Sequence, residues 1–390
     1  MRVLGKGKTA LAIKEIYPNV DLFDDSDLDI YDKDLNDITI VSPGIPPHNE
    51  LVKKTKNIIS DYDLFLTTIY NKEQKDIFSI WISGTNGKTT TTQMCEHILK
   101  DDNFIAAGNI GLPLAKAFNQ NKNLLLETSS FTLHYTNIAK PNIYVLLPIS
   151  PDHISWHGDF FEYEKSKLKP ILTLNEGEVA IIPEKYKDIK TDGFIITYKD
   201  SKDLANKINI DLNKVNFKEP FLMDALIALS IKKILLDTID YKLINTFVQD
   251  PHKLEEFYDG NNNLWIDDSK ATNVDATIQA INTYKDKIIH LILGGDDKGA
   301  SLDELFELIK THNIIIYSIG TNKEKILNLA NKFNITSYLC DDIKTAVKQI
   351  KENFKANNNE VALLSPAAAS LDQFTSYKHR GLNFKENVRI

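Results

Sequence analysis

Short apolar runs alternate with longer helix-compatible stretches along the whole chain, and this alternation constrains the fold more than any other feature. The runs fall at 3–4, 20–23, 38–41, 78–82, 124–126, 143–147, 264–266, 288–293, 314–317 and 361–364. Such runs are too short for helices, and most are far enough apart for a crossover helix, which argues for parallel α/β units. One intervening segment shows the helical period openly. Ser301 stands ready to cap a helix whose Leu302, Leu305, Phe306 and Ile309 are spaced i, i+3, i+4 and i+7, a stripe for a core.

At about 100–200 residues per domain, 390 residues make two to four domains. Three blocks emerge: 1–75, 76–248 and 249–390, with Lys72-Glu73-Gln74-Lys75-Asp76 as a polar connector. With 42% hydrophobic and 26% charged residues the chain reads as an ordinary soluble protein. Its net charge of −8 argues against a general nucleic-acid binder. No apolar run of about 18 residues occurs, so no membrane partner is expected. The opening Met1-Arg2-Val3-Leu4-Gly5-Lys6 runs straight into a strand, without the apolar core of a signal peptide. The two cysteines, Cys95 and Cys340, have no CxxC spacing. A reducing, cytoplasmic setting is therefore expected.

The segment Ser83-Gly84-Thr85-Asn86-Gly87-Lys88-Thr89-Thr90 follows an apolar run and precedes a helix-compatible stretch to Lys100. Glycines let a backbone turn tightly and aim its N–H groups at phosphate oxygens, and a helix N-terminus adds favourable dipole. Lys88 would meet the β- and γ-phosphates of ATP, and the Thr89 hydroxyl would reach Mg²⁺. Ile82 occupies the place of the first glycine in the longer GxxxxGK[ST] pattern. Gly5 and Gly7 also follow a strand, but a GxG there is equally a tight turn.

Glu127 ends the run 124–126 and His153 follows 143–147. Carboxyl ends of parallel strands are where such folds build sites, so both would face the nucleotide loop. A carboxylate suits Mg²⁺ as a hard ligand. Histidine suits Mn²⁺ or a metal-bound water better. Taken singly, Glu127 also reads as a helix cap and His153 as a loop histidine. Lys167 has no signature of its own and reads as a solvated lysine.

Together these residues resemble the Mur ligase superfamily, and within it the D-glutamate-adding branch. The likeness runs through ordered motifs: Ser42-Pro43-Gly44-Ile45-Pro46, Gly108-Asn109-Ile110-Gly111, Glu127-Thr128-Ser129-Ser130-Phe131, Asp152-His153, Asp268-Ser269-Lys270-Ala271-Thr272-Asn273, Gly294-Gly295-Asp296-Asp297-Lys298, and 364–374 followed by Arg380-Gly381.

The resemblance implies a three-domain α/β architecture, with Rossmann-like N- and C-terminal domains around a central P-loop ATPase domain. It implies an ATP-dependent ligase that joins UDP-N-acetylmuramoyl-L-alanine to D-glutamate through an acyl phosphate. By the same resemblance Lys88, Glu127, His153 and Lys167 are catalytic. Thr89, Glu127, His153 and Lys167 surround Mg²⁺, with Lys167 carbamylated. Gly84 to Thr90 (Gly84, Thr85, Asn86, Gly87, Lys88, Thr89 and Thr90) hold the phosphates, while Lys253 and Asp268 contact the nucleotide. Ser42, Pro43, Gly44 and Asn109 belong to the UDP-substrate path. Thr272, Lys298, Ser370, Leu371 and Tyr377 belong to the D-glutamate site. A monomer is expected.

Five positions depart from the branch. Lys253 replaces an arginine, Asp224 an asparagine that touches adenine, and Tyr377 a phenylalanine; Asp24-Asp25 stands beside the expected uridine contacts. Another Mur ligase or a folylpolyglutamate synthase shares the phosphate loop. A P-loop ATPase without ligase chemistry would lack a reason to carry Asp268, Lys270, Thr272 and Lys298.

Overall fold

The computed structural model describes residues 1–31, 37–67, 77–120, 122–355 and 359–389; the connector 72–76 lies outside them. Strands form three sheets, one per stretch of chain. The first holds β1 (Arg2–Leu4), β2 (Asp21–Phe23), β3 (Thr39–Val41) and β4 (Ile58–Ile59), all parallel in the order β2-β1-β3-β4. The second holds β5 (Ser79–Ser83), β6 (Phe104–Gly108), β7 (Asn123–Glu127), β8 (Ile143–Leu146), β9 (Val179–Pro183) and β10 (Phe194–Tyr198), all parallel in the order β10-β9-β8-β5-β7-β6. The third holds β11 (Glu255–Tyr258), β12 (Leu264–Asp267), β13 (Ile288–Gly294), β14 (Ile314–Ile319), β15 (Ser337–Leu339) and β16 (Glu360–Leu364) in the order β11-β12-β16-β13-β14-β15, with β11 an antiparallel edge.

The ten apolar runs of the sequence are all strands. Six more strands fall outside those runs, four of them for physical reasons. β4 has two residues, β15 has three, and β6 is mostly small (Phe104-Ile105-Ala106-Ala107-Gly108). β11 alternates exposed and half-buried residues as an edge strand does. β9 and β10 carry apolar runs of their own, Val179-Ala180-Ile181-Ile182 and Phe194-Ile195-Ile196, which the sequence reading passed over.

Two compact units result, Met1–Phe247 and Val248–Ile390. In the first unit the alternation along β5 divides the core. Ile80 and Ile82 pack with Met94, Cys95 and Ile98 of the helix Lys88–Ile98 and with Ala225 and Leu229 of the helix Phe221–Leu236. Trp81 packs on the opposite face with Leu133, Tyr144 and Tyr163, and that cluster continues into Val3, Ile40, Tyr62 and Phe65 of the first sheet's layer. The first two sheets therefore share one apolar core. A polar weld reinforces it: the Asp63 carboxylate accepts backbone N–H bonds from Asn137, Ile138 and Ala139 at 2.7–3.2 Å. The Tyr62 and Thr128 hydroxyls, 3.1 Å apart, make a second link.

In the second unit, helices cover both faces of the third sheet, Ile266 facing one cluster and Trp265 the other. The Leu302, Leu305, Phe306 and Ile309 stripe is buried, but the helix Asp303–Ile309 has Leu302 as its N-cap. Ser301 lies one residue too early, and its hydroxyl instead accepts the Asp303 N–H at 3.2 Å. Among the described residues no helix is long and apolar enough to cross a membrane.

Candidate active site

β5 is flanked by β8 and β7, so the loops that follow these three strands leave the same edge side by side. The phosphate loop springs from the middle one. Gly84 has φ +145°, and a Cβ there would lie 2.4 Å from the Leu147 Cβ; only glycine fits so close to the β8 loop. Gly87, at φ +82°, precedes the helix Lys88–Ile98, whose N-terminus has no side-chain cap. A helix N-terminus without a side-chain cap favours an anion. Lys88 Nζ folds back on the loop, donating to the carbonyls of Gly84 at 3.0 Å and Thr85 at 2.6 Å.

The other loop residues divide by role. Asn86 and Thr89 are half-buried, and Thr90 is buried. The Thr85 hydroxyl is engaged by protein: it accepts the Ser150 N–H at 2.9 Å and lies 2.9 Å from the Tyr163 hydroxyl. It ties the phosphate loop to the β8 loop, as the Thr85 N–H also does by donating to the Pro148 carbonyl at 3.0 Å. Asp224 is likewise turned into the protein. It is buried, and Thr91 Oγ1 donates to its Oδ1 at 2.5 Å. The residue that the resemblance places at adenine is here a brace for the phosphate-loop helix.

Glu127 is 3% exposed at the end of β7. Asn109 Nδ2 donates to its Oε1 at 2.8 Å, while Oε2 is buried without a hydrogen bond. A buried carboxylate oxygen lacking a donor is expensive unless a cation meets it. At the end of the strand next to β5, it fits a hard divalent metal.

Lys167 corrects the solvated-lysine reading: it is 1% exposed. Its position on the helix Phe160–Leu168 points it under the phosphate loop, where Nζ donates to the Gly84 carbonyl at 2.7 Å and to Ser83 Oγ at 3.3 Å. Burial first, and then the nearby Lys88 ammonium, hold its pKa well below the ordinary 10.5, against the opposing pull of Asp152 and Glu127. Tyr163, one turn earlier, sets its ring 4.8 Å from this nitrogen. Sequence reading passed over Tyr163, although its i, i+4 spacing to Lys167 was available.

His153 adopts φ +54° at the start of the short helix Ile154–His157 and remains half exposed. Its ring lies edge-on to Phe131, 4.7 Å between centroids, and its Nε2 is 3.6 Å from Asp152. His157, one turn on, shares a 2.9 Å hydrogen bond with Ser130 Oγ, joining the loops after β8 and β7. Burial pushes the His157 pKa down to about 4, so it is neutral there at neutral pH.

In the first sheet, β1 lies between β2 and β3, which brings Gly5, Asp24 and Ser42 to one edge. Ser42 Oγ is buried without a hydrogen bond, and a Cβ on Gly5 would lie 2.7 Å from it. Pro43 and Gly44 are partly to fully exposed beside it. The two acids of the β2 loop do not stand uncompensated. Asp24 caps the turn Asp25–Asp27 and pairs with Lys6 at 3.2 Å, while Asp25 accepts from Asn49 Nδ2 at 2.7 Å.

The second unit repeats the arrangement, because β16 lies between β12 and β13. Thr272 follows β12, Lys298 follows β13, and Ser370, Leu371 and Tyr377 follow β16. Thr272, Lys298 and Leu371 are exposed, Leu371 by 70%; Ser370 is buried, and Tyr377 lies under the Lys270 ammonium, 4.5 Å from its ring centre. Asp268 is buried and both its oxygens are used, by Ser365 Oγ at 2.7 Å and Leu254 N–H at 3.3 Å. Burial pushes its pKa up to about 8. Lys253 Nζ lies 3.4 Å from Asp250.

Residues 82–224 match the Mur ligase middle domain. The chain is similar to the UDP-N-acetylmuramoylalanine--D-glutamate ligase of Campylobacter jejuni (strain RM1221), with 49% identity covering 99% of this chain and 98% of that one. It is 42% identical to the ligase of the same name from Helicobacter pylori (strain ATCC 700392 / 26695), again covering 99% and 98%. Among solved structures the fold is similar to MurF ligase from Thermotoga maritima in complex with ADP (TM-score 0.61, 15% identity, 99% and 93% coverage). It is also similar to Mycobacterium tuberculosis folylpolyglutamate synthase (TM-score 0.57, 12% identity, 85% and 95% coverage). Full-length identity at this level, on a chain that carries the phosphate loop, the buried glutamate and the buried lysine, means that the protein belongs to the UDP-N-acetylmuramoylalanine--D-glutamate ligase family of Mur ligases.

Proposed function

We propose that the protein joins UDP-N-acetylmuramoyl-L-alanine to D-glutamate at the expense of ATP, in peptidoglycan synthesis. The observation that carries this reading is the Lys88 loop beside the buried, half-satisfied Glu127, in a chain 49% identical to relatives of that name.

The L-alanine carboxylate attacks the γ-phosphorus, forming a P–O bond as the bond to ADP breaks. Such a step needs positioning and charge neutralisation more than covalent help. Lys88 leaves the Gly84 and Thr85 carbonyls for the phosphate oxygens, and the uncapped helix N-terminus faces the same charge. The amine of D-glutamate then attacks the acyl carbon, and inorganic phosphate departs. His153, at the mouth of the β8 loop, supports the developing oxyanion.

Mg²⁺ or Mn²⁺, when bound, supplies further neutralisation of phosphate charge. Thr89, Glu127, His153 and a carbamylated Lys167 would hold it. Burial, and after it the Lys88 charge, lowers the Lys167 pKa and favours the neutral amine, the form that bonds the carbon of CO₂ and gives up a proton. Residues 1–75 take the uridine nucleotide at Ser42, Pro43 and Gly44, with Asn109 further along the same substrate. Residues 76–248 take ATP, to which Lys253 and Asp268 are also assigned. Residues 249–390 take D-glutamate at Thr272, Lys298, Ser370, Leu371 and Tyr377. The enzyme is read as a cytoplasmic monomer; its two thiols, Cys95 and Cys340, are free and buried.

The test is phosphate release and product mass with ATP, Mg²⁺, UDP-N-acetylmuramoyl-L-alanine and either glutamate isomer. Release requiring both substrates, and a product heavier by one glutamate residue only with the D isomer, is expected. Lys88→Ala should abolish it with an unchanged melting curve. Phosphate release that ignores glutamate would replace this reading with a simple ATPase.

A further inference from the structure

Two of the three tryptophans, Trp81 and Trp265, are fully buried, whereas Trp156, on the short helix Ile154–His157 after β8, is half-buried. It is held by rings. Between centroids, Phe131 lies 4.5 Å from it, His157 4.4 Å, His134 5.3 Å and Tyr135 5.8 Å. Its indole N–H is buried and has no acceptor among the described residues. A side chain that served packing alone would bear that cost for nothing, since an apolar ring of similar shape would avoid it.

The contacts of Trp156 form one path, all of it inside the first unit. At one end the Tyr135 hydroxyl donates to the Ile45 carbonyl at 2.8 Å, and Ile45 and Trp156 pack against the same cluster of Leu4, Val41 and Tyr135. Ile45 belongs to the Ser42 loop. At the other end Phe131 meets the His153 ring at 4.7 Å. Phe131 is itself half-buried, and its ring is tilted by only 31° from that of Trp156. The two rings therefore make a shallow aromatic surface between the Ser42 loop and His153.

We propose that Trp156, with Phe131 beside it, is a specificity-determining platform for the amino sugar in the middle of the UDP substrate. This rests on the assignment of the Ser42 loop to the uridine nucleotide and of His153 to the acyl end. What lies between those two ends of the substrate is a pyranose ring, whose apolar C–H face packs on an aromatic plane. A tryptophan offers that plane as a large, rigid contact with only two side-chain torsions to fix. The Ser42 loop then reads the nucleotide, and Trp156 reads what the nucleotide carries.

The experiment titrates the full-length protein with UDP and with UDP-N-acetylmuramoyl-L-alanine by calorimetry, with a melting curve for each variant. Trp156→Leu should weaken binding of UDP-N-acetylmuramoyl-L-alanine about tenfold and leave that of UDP unchanged. Trp156→Phe, which keeps a flat ring, should recover most of the loss. If Trp156→Leu does not fold, tryptophan emission of the unaltered protein carries the test. Because Trp81 and Trp265 are fully buried, a blue shift should follow UDP-N-acetylmuramoyl-L-alanine but not UDP, and Trp156→Phe should abolish it. Equal losses for both ligands, no loss for either, or an emission that ignores the sugar would overturn the platform and leave the nucleotide site standing. So would Trp156→Phe binding no better than Trp156→Leu. Unaltered protein that binds neither ligand would overturn the proposed function, and the platform with it.

Discussion

Lys88 and Lys167 share one acceptor: both ammonium groups donate to the carbonyl of Gly84, at 3.0 and 2.7 Å. Burial, and after it the repulsion of the Lys88 cation on the same oxygen, lowers the affinity of Lys167 for its proton. The phosphate-loop lysine folds back on its own loop, and its charge adds to the burial that lowers the Lys167 pKa.

Lys167→Ala should therefore lose nearly all ligation while folding normally. Short carboxylic acids added to the assay should restore part of it by standing in for the carbamate. Full activity in Lys167→Ala without any additive would remove this residue from the chemistry.

Asn109→Ala should act through the metal. Among the described residues it removes the one hydrogen bond of the Glu127 side-chain carboxylate, the 2.8 Å contact to Oε1. Loss of such an orienting partner typically weakens metal affinity about 10–100-fold. A Mg²⁺ titration of the rate should shift by that order, with saturating Mg²⁺ recovering most of kcat; an unshifted titration would separate Asn109 from the metal.

Two glycines should respond in opposite ways. Gly84→Ala drives a Cβ to 2.4 Å from Leu147 at φ +145°, so it should cost several kcal/mol, roughly the scale of core overpacking plus backbone strain, and show a lowered Tm. Gly44→Ala meets nothing within 4 Å and should keep its Tm. Its effect should appear in KM for the UDP substrate alone.

Asp61 gives the pH dependence. It is buried with Oδ1 lacking a hydrogen bond, and burial raises its pKa from 3.8 to about 7. Between those values the folded chain holds a proton that the unfolded chain has released. Its stabilising contribution is complete below pH 3.8 and is lost as pH rises through 7. The slope is at most about 1.4 kcal/mol per pH unit. Denaturant unfolding of Asp61→Asn from pH 4 to pH 7.5 should lack that slope and show higher stability at neutral pH; parallel curves for the two proteins would assign the proton elsewhere.

Much of this was legible in the sequence because the signals are local. Central strands announce themselves by unbroken apolar runs, and the phosphate loop by glycines fixed in order between strand and helix. Edge strands such as β11 and β15 were not, since an element solvated on one side needs no apolar run. Lys167 looked like any other lysine, and its burial comes from a tertiary fact, the seating of its helix beneath Gly84. Asp224 is a second case of a hidden partner. Its neighbour in space is Thr91, 133 positions away, and no spacing rule reports such a pair.

The carboxylate of Asp63 has one further consequence. By gripping three successive amides at 137–139 it fastens the first sheet to the second, over an apolar core the two already share. The Ser42 loop and the Lys88 loop thus stand on a single rigid frame, as the jaws of a fixed gauge do. A molecule gripped at one jaw presents its far end at a set reach from the other, and length becomes a criterion of selection alongside chemistry.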